Sequence, residues 1–203
     1  MPSPVFVTRH GTNEGRDFFP TPPWATRAIC EAHKFEGSIW EPACGDYHMS
    51  NTLKEYNDNV TATDLIYGHD FLLDKPLKGM DWIITNPPFN MAEEFIHKSL
   101  EYCNRGAAFL LRINFLATAK RYRTLYSITP PAKIFQYTDR IQFNATEVNR
   151  KGSTAVDYTW IIWDKQHNGP PEFNWLPPNR FNLEKDEDYV HIDKSGGIRP
   201  SIE

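Results

Sequence analysis

The sequence predicts an α/β fold built on an open, mostly parallel sheet. Three observations point there. Short apolar runs alternate with longer stretches of helical spacing. The strongest run, Asp81-Trp82-Ile83-Ile84-Thr85, reads as a buried strand closed by two prolines. The turns after the first three runs carry glycine, acidic residues or prolines, and sheets of this kind bind ligands beyond the carboxyl ends of their strands.

The elements follow in order. Phe19-Pro20-Thr21-Pro22-Pro23 is held extended by its prolines, and Thr26 to Ala32 then reads as a helix. Ser38-Ile39-Trp40 is a short strand ending at Pro42 and Gly45, and His48 to Tyr56 is the helix behind it. Val60 to Leu65 alternates and is β-branched, which predicts a strand. Asp81 to Thr85 is the next strand. Met91 to Cys103 sets Ala92, Phe95, Ile96, Ser99, Leu100 and Cys103 at helical spacing. Ala107 to Ile113 is an apolar strand, Ala117 to Tyr126 a helix, and Lys133 to Tyr137 and Tyr158 to Asp164 the closing strands. From Gly169 onward, four prolines by Pro178 predict an irregular tail.

Composition narrows the class. A chain of 203 residues suits one domain with a tail, here 1–168 and 169–203. Hydrophobic residues at 40% and charged residues at 24% support a packed core rather than disorder. No apolar run approaches the roughly 18 residues of a membrane helix, and no apolar signal core opens the chain, so a cytoplasmic protein is expected. Cys30, Cys44 and Cys103 lack metal-site or disulfide-framework spacing, and the seven histidines are scattered, so no metal is expected. The net charge of −4 is unevenly spread. Residues 1–104 carry 8 basic and 15 acidic side chains, whereas residues 105–151 carry 9 basic and 2 acidic. A local cationic surface is therefore compatible with an acidic chain.

Two turns are chemically loaded. Glu41-Pro42-Ala43-Cys44-Gly45-Asp46 follows the first strand. It has one glycine and no lysine, so it makes a poor phosphate cradle, and its acids suit a neutral or cationic ligand with hydroxyls and an ammonium. It also reads as an ordinary turn with Asp46 as helix cap. Asp64 ends the second strand, 23 positions after Glu41, where α/β nucleotide binders hold ribose hydroxyls. Asp70 and Phe71 suit an adenine amino group and ring, or equally a cap beside a core phenylalanine. After the third strand, the two prolines of Asn86-Pro87-Pro88-Phe89 remove two backbone donors and leave a row of carbonyls plus the Asn86 amide, all able to accept, followed by an aromatic ring. That arrangement fits a planar group with an NH₂ at its edge. In the basic stretch, Arg112, Lys120, Arg121, Arg123, Arg140, Arg150 and Lys151 are interleaved with Tyr122, Tyr126 and Phe143, the mixture that phosphate contact and base packing require.

Taken together, these residues resemble S-adenosylmethionine-dependent DNA adenine-N6 methyltransferases, of the small kind often carried by phages. Phe19-Pro20-Thr21-Pro22 resembles the family's N-terminal cofactor motif and Glu41-Pro42-Ala43-Cys44-Gly45 its main one. Thr63-Asp64-Leu65 and Asp70-Phe71 resemble the next two, and Asn86-Pro87-Pro88-Phe89 the catalytic motif, in a gamma-like order. Leu111 to Leu116 and Ala155 to Trp160 resemble later strands, so the likeness covers roughly residues 17–165. It implies a Rossmann-like class I methyltransferase fold with a mostly parallel seven-stranded sheet. It also implies S-adenosylmethionine as cofactor, DNA as partner and methylation of adenine N6 in a short or relaxed target, since no recognition domain is visible. Tyr47 stands where the family shows a second glycine, which sets a side chain in the cofactor's path or bends the turn. Methylation of another planar amine, in RNA or a protein glutamine, and a catalytically inert binder of the same fold are the alternatives.

Overall fold

Seven strands, Ile39–Glu41 (β1), Val60–Ala62 (β2), Trp82–Thr85 (β3), Gly106–Arg112 (β4), Lys133–Tyr137 (β5), Tyr158–Asp164 (β6) and Glu172–Leu176 (β7), form one sheet in the order β2-β1-β3-β4-β6-β5-β7. The structure, a computed structural model, describes residues 19–143, 156–189, 191–192 and 198–199. Strand β6 runs antiparallel to both β4 and β5, and the remaining pairings are parallel. A separate antiparallel pair joins His191–Ile192 (β8) to Ile198–Arg199 (β9).

The helices divide between the two faces. On one face, Pro23–Ala32 (α1), His48–Leu53 (α2) and the short Arg180–Leu183 (α5) pack over Trp24, Ile29, Leu53, Trp82, Trp160 and Leu183. On the other, Ala92–Tyr102 (α3) packs Phe95 and Ile96 against Ile83, Phe109 and Trp163. Five of the six tryptophans are buried to 2% exposure or less, and Trp175 alone is exposed. Helix α1 starts at Pro23, three residues earlier than its apolar pattern shows, because a proline fits the first helical turn, where no amide bond is lost.

Several predicted elements end early, each for a local reason. Helix α2 stops at Leu53, and the amides of Glu55 and Tyr56 tighten onto the carbonyls of Thr52 and Leu53. Strand β2 stops at Ala62, because the Asp64 carboxylate accepts from the Ile66 amide at 3.0 Å and starts a 3₁₀ turn over Leu65–Tyr67. The predicted helix from Ala117 to Tyr126 is one α-helical turn, Ala119–Arg121 (α4), capped by Thr118, followed by a π-helical turn over Tyr122–Tyr126. The largest correction concerns the tail. Glu172–Leu176, expected to be irregular, is strand β7, paired in parallel with β5 from Lys133↔Glu172 to Tyr137↔Leu176. An edge strand tolerates the flanking prolines because its outer amides need no partner.

Gly106, at the start of β4, is fixed by packing. A Cβ there would lie 2.2 Å from the Trp163 carbonyl oxygen and 2.7 Å from the Trp82 ring. Gly106→Ala is expected to cost about 1–3 kcal/mol through overpacking, read as a lower urea midpoint with an unchanged slope.

Candidate functional site

Strand order gathers the loaded turns. Because β2, β1, β3 and β4 are adjacent and parallel, their carboxyl ends present Asp64, Glu41, Asn86 and Arg112 in one row, although the chain meets them in a different order. The direction of connection reverses between β1 and β3, and ligands bind open α/β sheets at such a point.

The first turn is tied to its neighbour. The Gly45 amide donates to Asp64 Oδ2 at 2.9 Å, and the Cys44 amide to the Thr63 carbonyl at 3.1 Å. Gly45 adopts φ 49° and Tyr47 φ 65°, both left-handed. Tyr47 thus keeps the backbone that a glycine would give, at a local strain of about 1–2 kcal/mol. Its ring stacks on Tyr67, with centroids 5.1 Å apart and planes at 20°, while the Tyr67 hydroxyl donates to the Gly45 carbonyl at 3.1 Å. Tyr47 is also the residue preceding α2, so Asp46, exposed, is not the cap.

Glu41 is 2% exposed, and its Oε2 has no hydrogen-bond partner. Burial pushes its carboxyl up to about 8, reinforced by the charge of Asp64 and opposed by hydrogen bonds from the Ser50 side chain and amide. The Cys44 thiol is driven up to about 12 by burial and by the charges of Glu41 and Asp64, so it stays protonated and is no nucleophile. Pro42 is buried and Ala43 half-buried beneath the turn.

Asp70 and Phe71 both have partners within the fold. Asp70 Oδ1 accepts from the amides of Leu72 at 2.9 Å and Leu73 at 3.2 Å. Phe71 is 3% exposed and lies between Trp40, at 5.1 Å, and Phe95, at 4.7 Å. Leu65, in contrast, is exposed beside Asp64.

The catalytic-type turn meets the N-terminal segment. Asn86 Nδ2 donates to the Phe19 carbonyl at 3.2 Å and to Thr21 Oγ1 at 3.1 Å. Both amide hydrogens are thereby spent, and Oδ1 is left buried without a partner. Pro20 and Pro22, both buried, hold this segment extended, and Pro22 precedes α1. Pro87 is buried, and Pro88 leads into a 3₁₀ turn over Phe89–Met91. The Phe89 ring lies 5.8 Å from Phe19 and 6.0 Å from Tyr158, with the Arg112 guanidinium 4.5 Å above it.

The basic residues separate into distinct settings. Arg112 and Arg121 line one recess with Phe89. Lys120 is exposed and faces Glu93 at 3.8 Å, Arg123 is exposed, and Arg140 lies 3.9 Å from Asp157. Phe143 packs against Tyr158 at 4.7 Å and Phe19 at 6.3 Å, two rings that also neighbour Phe89. Arg150 and Lys151 lie outside the described residues. Sequence reasoning missed Tyr158, Ser50 and Tyr67. Tyr158 carries a readable signal, since it opens a strand in the sheet. A hydroxyl near a buried acid and an exposed tyrosine carry none. Among the described residues no helix is long and apolar enough to cross a membrane, and no cluster of potential metal ligands forms.

This is the Rossmann-like fold of the class I S-adenosylmethionine-dependent methyltransferases, an α/β unit with a seven-stranded, mostly parallel sheet. Neither a protein-family profile nor a curated protein matches the sequence. Among solved structures, a protein from Listeria monocytogenes described as a class I S-adenosylmethionine-dependent methyltransferase superposes with a TM-score of 0.51, at 14% identity over 88% of this chain and 70% of that one. A dimethyladenosine transferase from Plasmodium falciparum gives 0.49 at 16% identity, over 73% of this chain and 64% of that one. A type I restriction-modification methyltransferase subunit from Streptococcus thermophilus gives 0.48 at 13%, over 72% and 43%.

Proposed function

We propose that this chain is an S-adenosylmethionine-dependent methyltransferase that modifies the exocyclic N6 amine of adenine in DNA. The observation that carries the reading is the Asn86 carboxamide. Its two donors are spent on Phe19 and Thr21, so Oδ1 is left as a buried acceptor with no partner. Leaving such an acceptor unpaired costs about 1–3 kcal/mol, and a planar NH₂ entering the site removes that cost. Asn86 Oδ1 and the Pro87 carbonyl would each take one amino hydrogen. That draws the nitrogen toward tetrahedral geometry and frees its lone pair from the ring. The effect is orientation and electrostatics, with no strong base. Phe89 supplies an aromatic face for a base that has left its stack.

The residues of the neighbouring turn fit the cofactor. S-adenosylmethionine, when bound, supplies an electrophilic methyl on a positively charged sulfur. Asp64 would accept its ribose hydroxyls, and Glu41, whose Oε2 has no partner, would when ionised favour its positive charge. Ionised Glu41 suits a cation, yet burial keeps the group protonated until about pH 8. Binding therefore releases a proton. Affinity is expected to rise by up to about tenfold per pH unit below 8 and to flatten above it. Calorimetry in buffers of different ionisation enthalpy reads the proton. Glu41→Gln removes this dependence and separates it from titration of the cofactor's own amine.

The substrate reading is tested by transfer of tritium from labelled S-adenosylmethionine to unmethylated duplex DNA. Label recovered as N6-methyladenine supports it. Cofactor binding with no label on DNA moves the assignment to another planar amine, in RNA or a protein glutamine.

A further inference from the structure

Arg112, at the end of β4, and Arg121, at the end of α4, reach one recess of about 170 Å³ beside Phe89. Each guanidinium lies over a ring, Arg112 4.5 Å from the centre of Phe89 and Arg121 4.0 Å from that of Phe115. Each has a buried Nε with no hydrogen-bond partner. Arg121 also donates from Nη1 to the Phe115 carbonyl at 3.0 Å, which fixes its plane. No carboxylate pairs with either arginine among the described residues. Other cations of the basic stretch do have one nearby, as in Arg105–Asp164 at 2.9 Å, Lys133–Glu172 at 3.7 Å and Lys120–Glu93 at 3.8 Å. Two guanidinium groups that share one recess repel each other unless an anion lies between them.

We propose that this recess binds a phosphate, and that the phosphate belongs to the nucleic-acid backbone next to the target base. The assignment rests on the reading of the chain as a nucleic-acid methyltransferase and names which part of that substrate is held, and where. The recess is far smaller than the roughly 300–1,000 Å³ of a site for a whole nucleotide or drug-sized ligand, and it suits a single anionic group. Planar guanidinium donors match phosphate oxygens, and the Asn114 amide on the same wall adds a neutral donor. Arg112 has a second role. Its guanidinium covers a face of Phe89, the ring proposed to receive the base. Engaging a phosphate draws that guanidinium off the ring, so backbone capture and opening of the base slot become one movement.

The first test needs neither DNA nor turnover. The arginine Nε–Hε signals of the full chain are followed by NMR as inorganic phosphate is added, with sodium chloride at matched ionic strength as control. The Arg112 and Arg121 signals should shift together and saturate with phosphate alone, and Arg121→Gln should weaken the response of Arg112 at least about tenfold. Flat signals in the unaltered protein overturn the proposal. The second test is a methylphosphonate scan of an adenine-containing duplex, which neutralises one phosphate at a time. One position beside the adenine should weaken binding to the unaltered protein about tenfold. It should have no further effect on Arg121→Gln, whose salt slope should fall by about one. A saturable phosphate response with a scan that never distinguishes the two proteins makes the recess an adventitious anion site only and overturns its role. Binding of an acidic peptide in place of nucleic acid does the same. If the scan succeeds but no label reaches adenine, the methyl-acceptor reading fails and the phosphate site stands.

Discussion

Asn86→Ala is expected to lower methyl transfer by about 10²–10³-fold while leaving S-adenosylmethionine affinity within about twofold. The size follows from removing one pre-oriented group that acts where charge develops. The selectivity follows from position, since Asn86 belongs to the β3 turn and Glu41 and Asp64 to the turns of β1 and β2. Asn86→Asp is the sharper variant. A carboxylate still accepts, but it cannot donate to the Phe19 carbonyl and Thr21 Oγ1, so it loses both contacts that aim the group. It should fall well below the unaltered enzyme although its acceptor survives. Thr21→Val, which removes one of the two contacts, should give a smaller loss of about tenfold or less. Single-turnover rates against calorimetric cofactor affinity separate these outcomes. A variant that loses cofactor binding and transfer in parallel would remove Asn86 from the acceptor role.

The second large effect concerns stability. Arg27 on α1 is 4% exposed and holds three groups from distant segments. Its Nη1 donates to the Leu183 carbonyl at 2.8 Å and to Asp188 Oδ2 at 2.7 Å, and its Nη2 to Glu55 Oε1 at 2.7 Å. Burial works against its charge, but the two carboxylates more than restore it. Arg27→Met keeps much of the stem and deletes the charge, leaving Asp188 buried with an unmatched negative charge. The expected cost is about 3–5 kcal/mol in a urea titration. Adding Asp188→Asn should recover part of that loss, because a neutral amide does not need the guanidinium. A pH signature accompanies the effect. The hydrogen bond from Arg27 holds the Glu55 carboxyl down to about 2, below its usual 4.5. Its contribution is therefore complete above the ordinary carboxylate range and is lost as pH falls toward 2. In Arg27→Met this acid-sensitive component should shrink to the part that Lys185, 2.8 Å from Glu55 Oε2, still supports.

The order of elements was legible because local rules and tertiary structure agreed. Trp82–Thr85 is apolar throughout, then meets two prolines, and no other assignment suits it. Lys133–Tyr137 and Tyr158–Asp164 fall where their apolar residues place them. Strand order was not legible, since nothing local says that β6 slips between β4 and β5. Strand β7 was hidden because its alternation points Phe173 and Trp175 toward solvent, and its flanking prolines mimic a loop. In the site, motif spacing placed the turns of Glu41, Asp64 and Asn86, which the sheet brings together. The partners were invisible. That Thr21 aims Asn86, or that Tyr47 leans on Tyr67, depends on contacts across 65 residues and across a turn. Asp70 and Phe71 show the opposite limit, since two chemistries fit the same dipeptide and the turn hydrogen bonds and ring contacts it makes are compatible with both.

The Arg27 clasp also bears on how the chain acquires its shape. Its partners Glu55 and Asp188 lie 28 and 161 residues along the sequence. During synthesis, α1 emerges with a cation destined for the interior long before its second carboxylate exists. Until then Arg27 stays hydrated, and the face of the sheet that α1 covers stays loosely shielded. Strand β5 similarly waits for β6 on one side and β7 on the other. Contacts of such long sequence separation close late and slowly, because loop entropy is spent before they form. The packing of α1 is therefore completed only after β7 and the segment around Asp188 have docked. Until that segment has docked, the apolar face beneath α1 is the part of the chain most in need of protection.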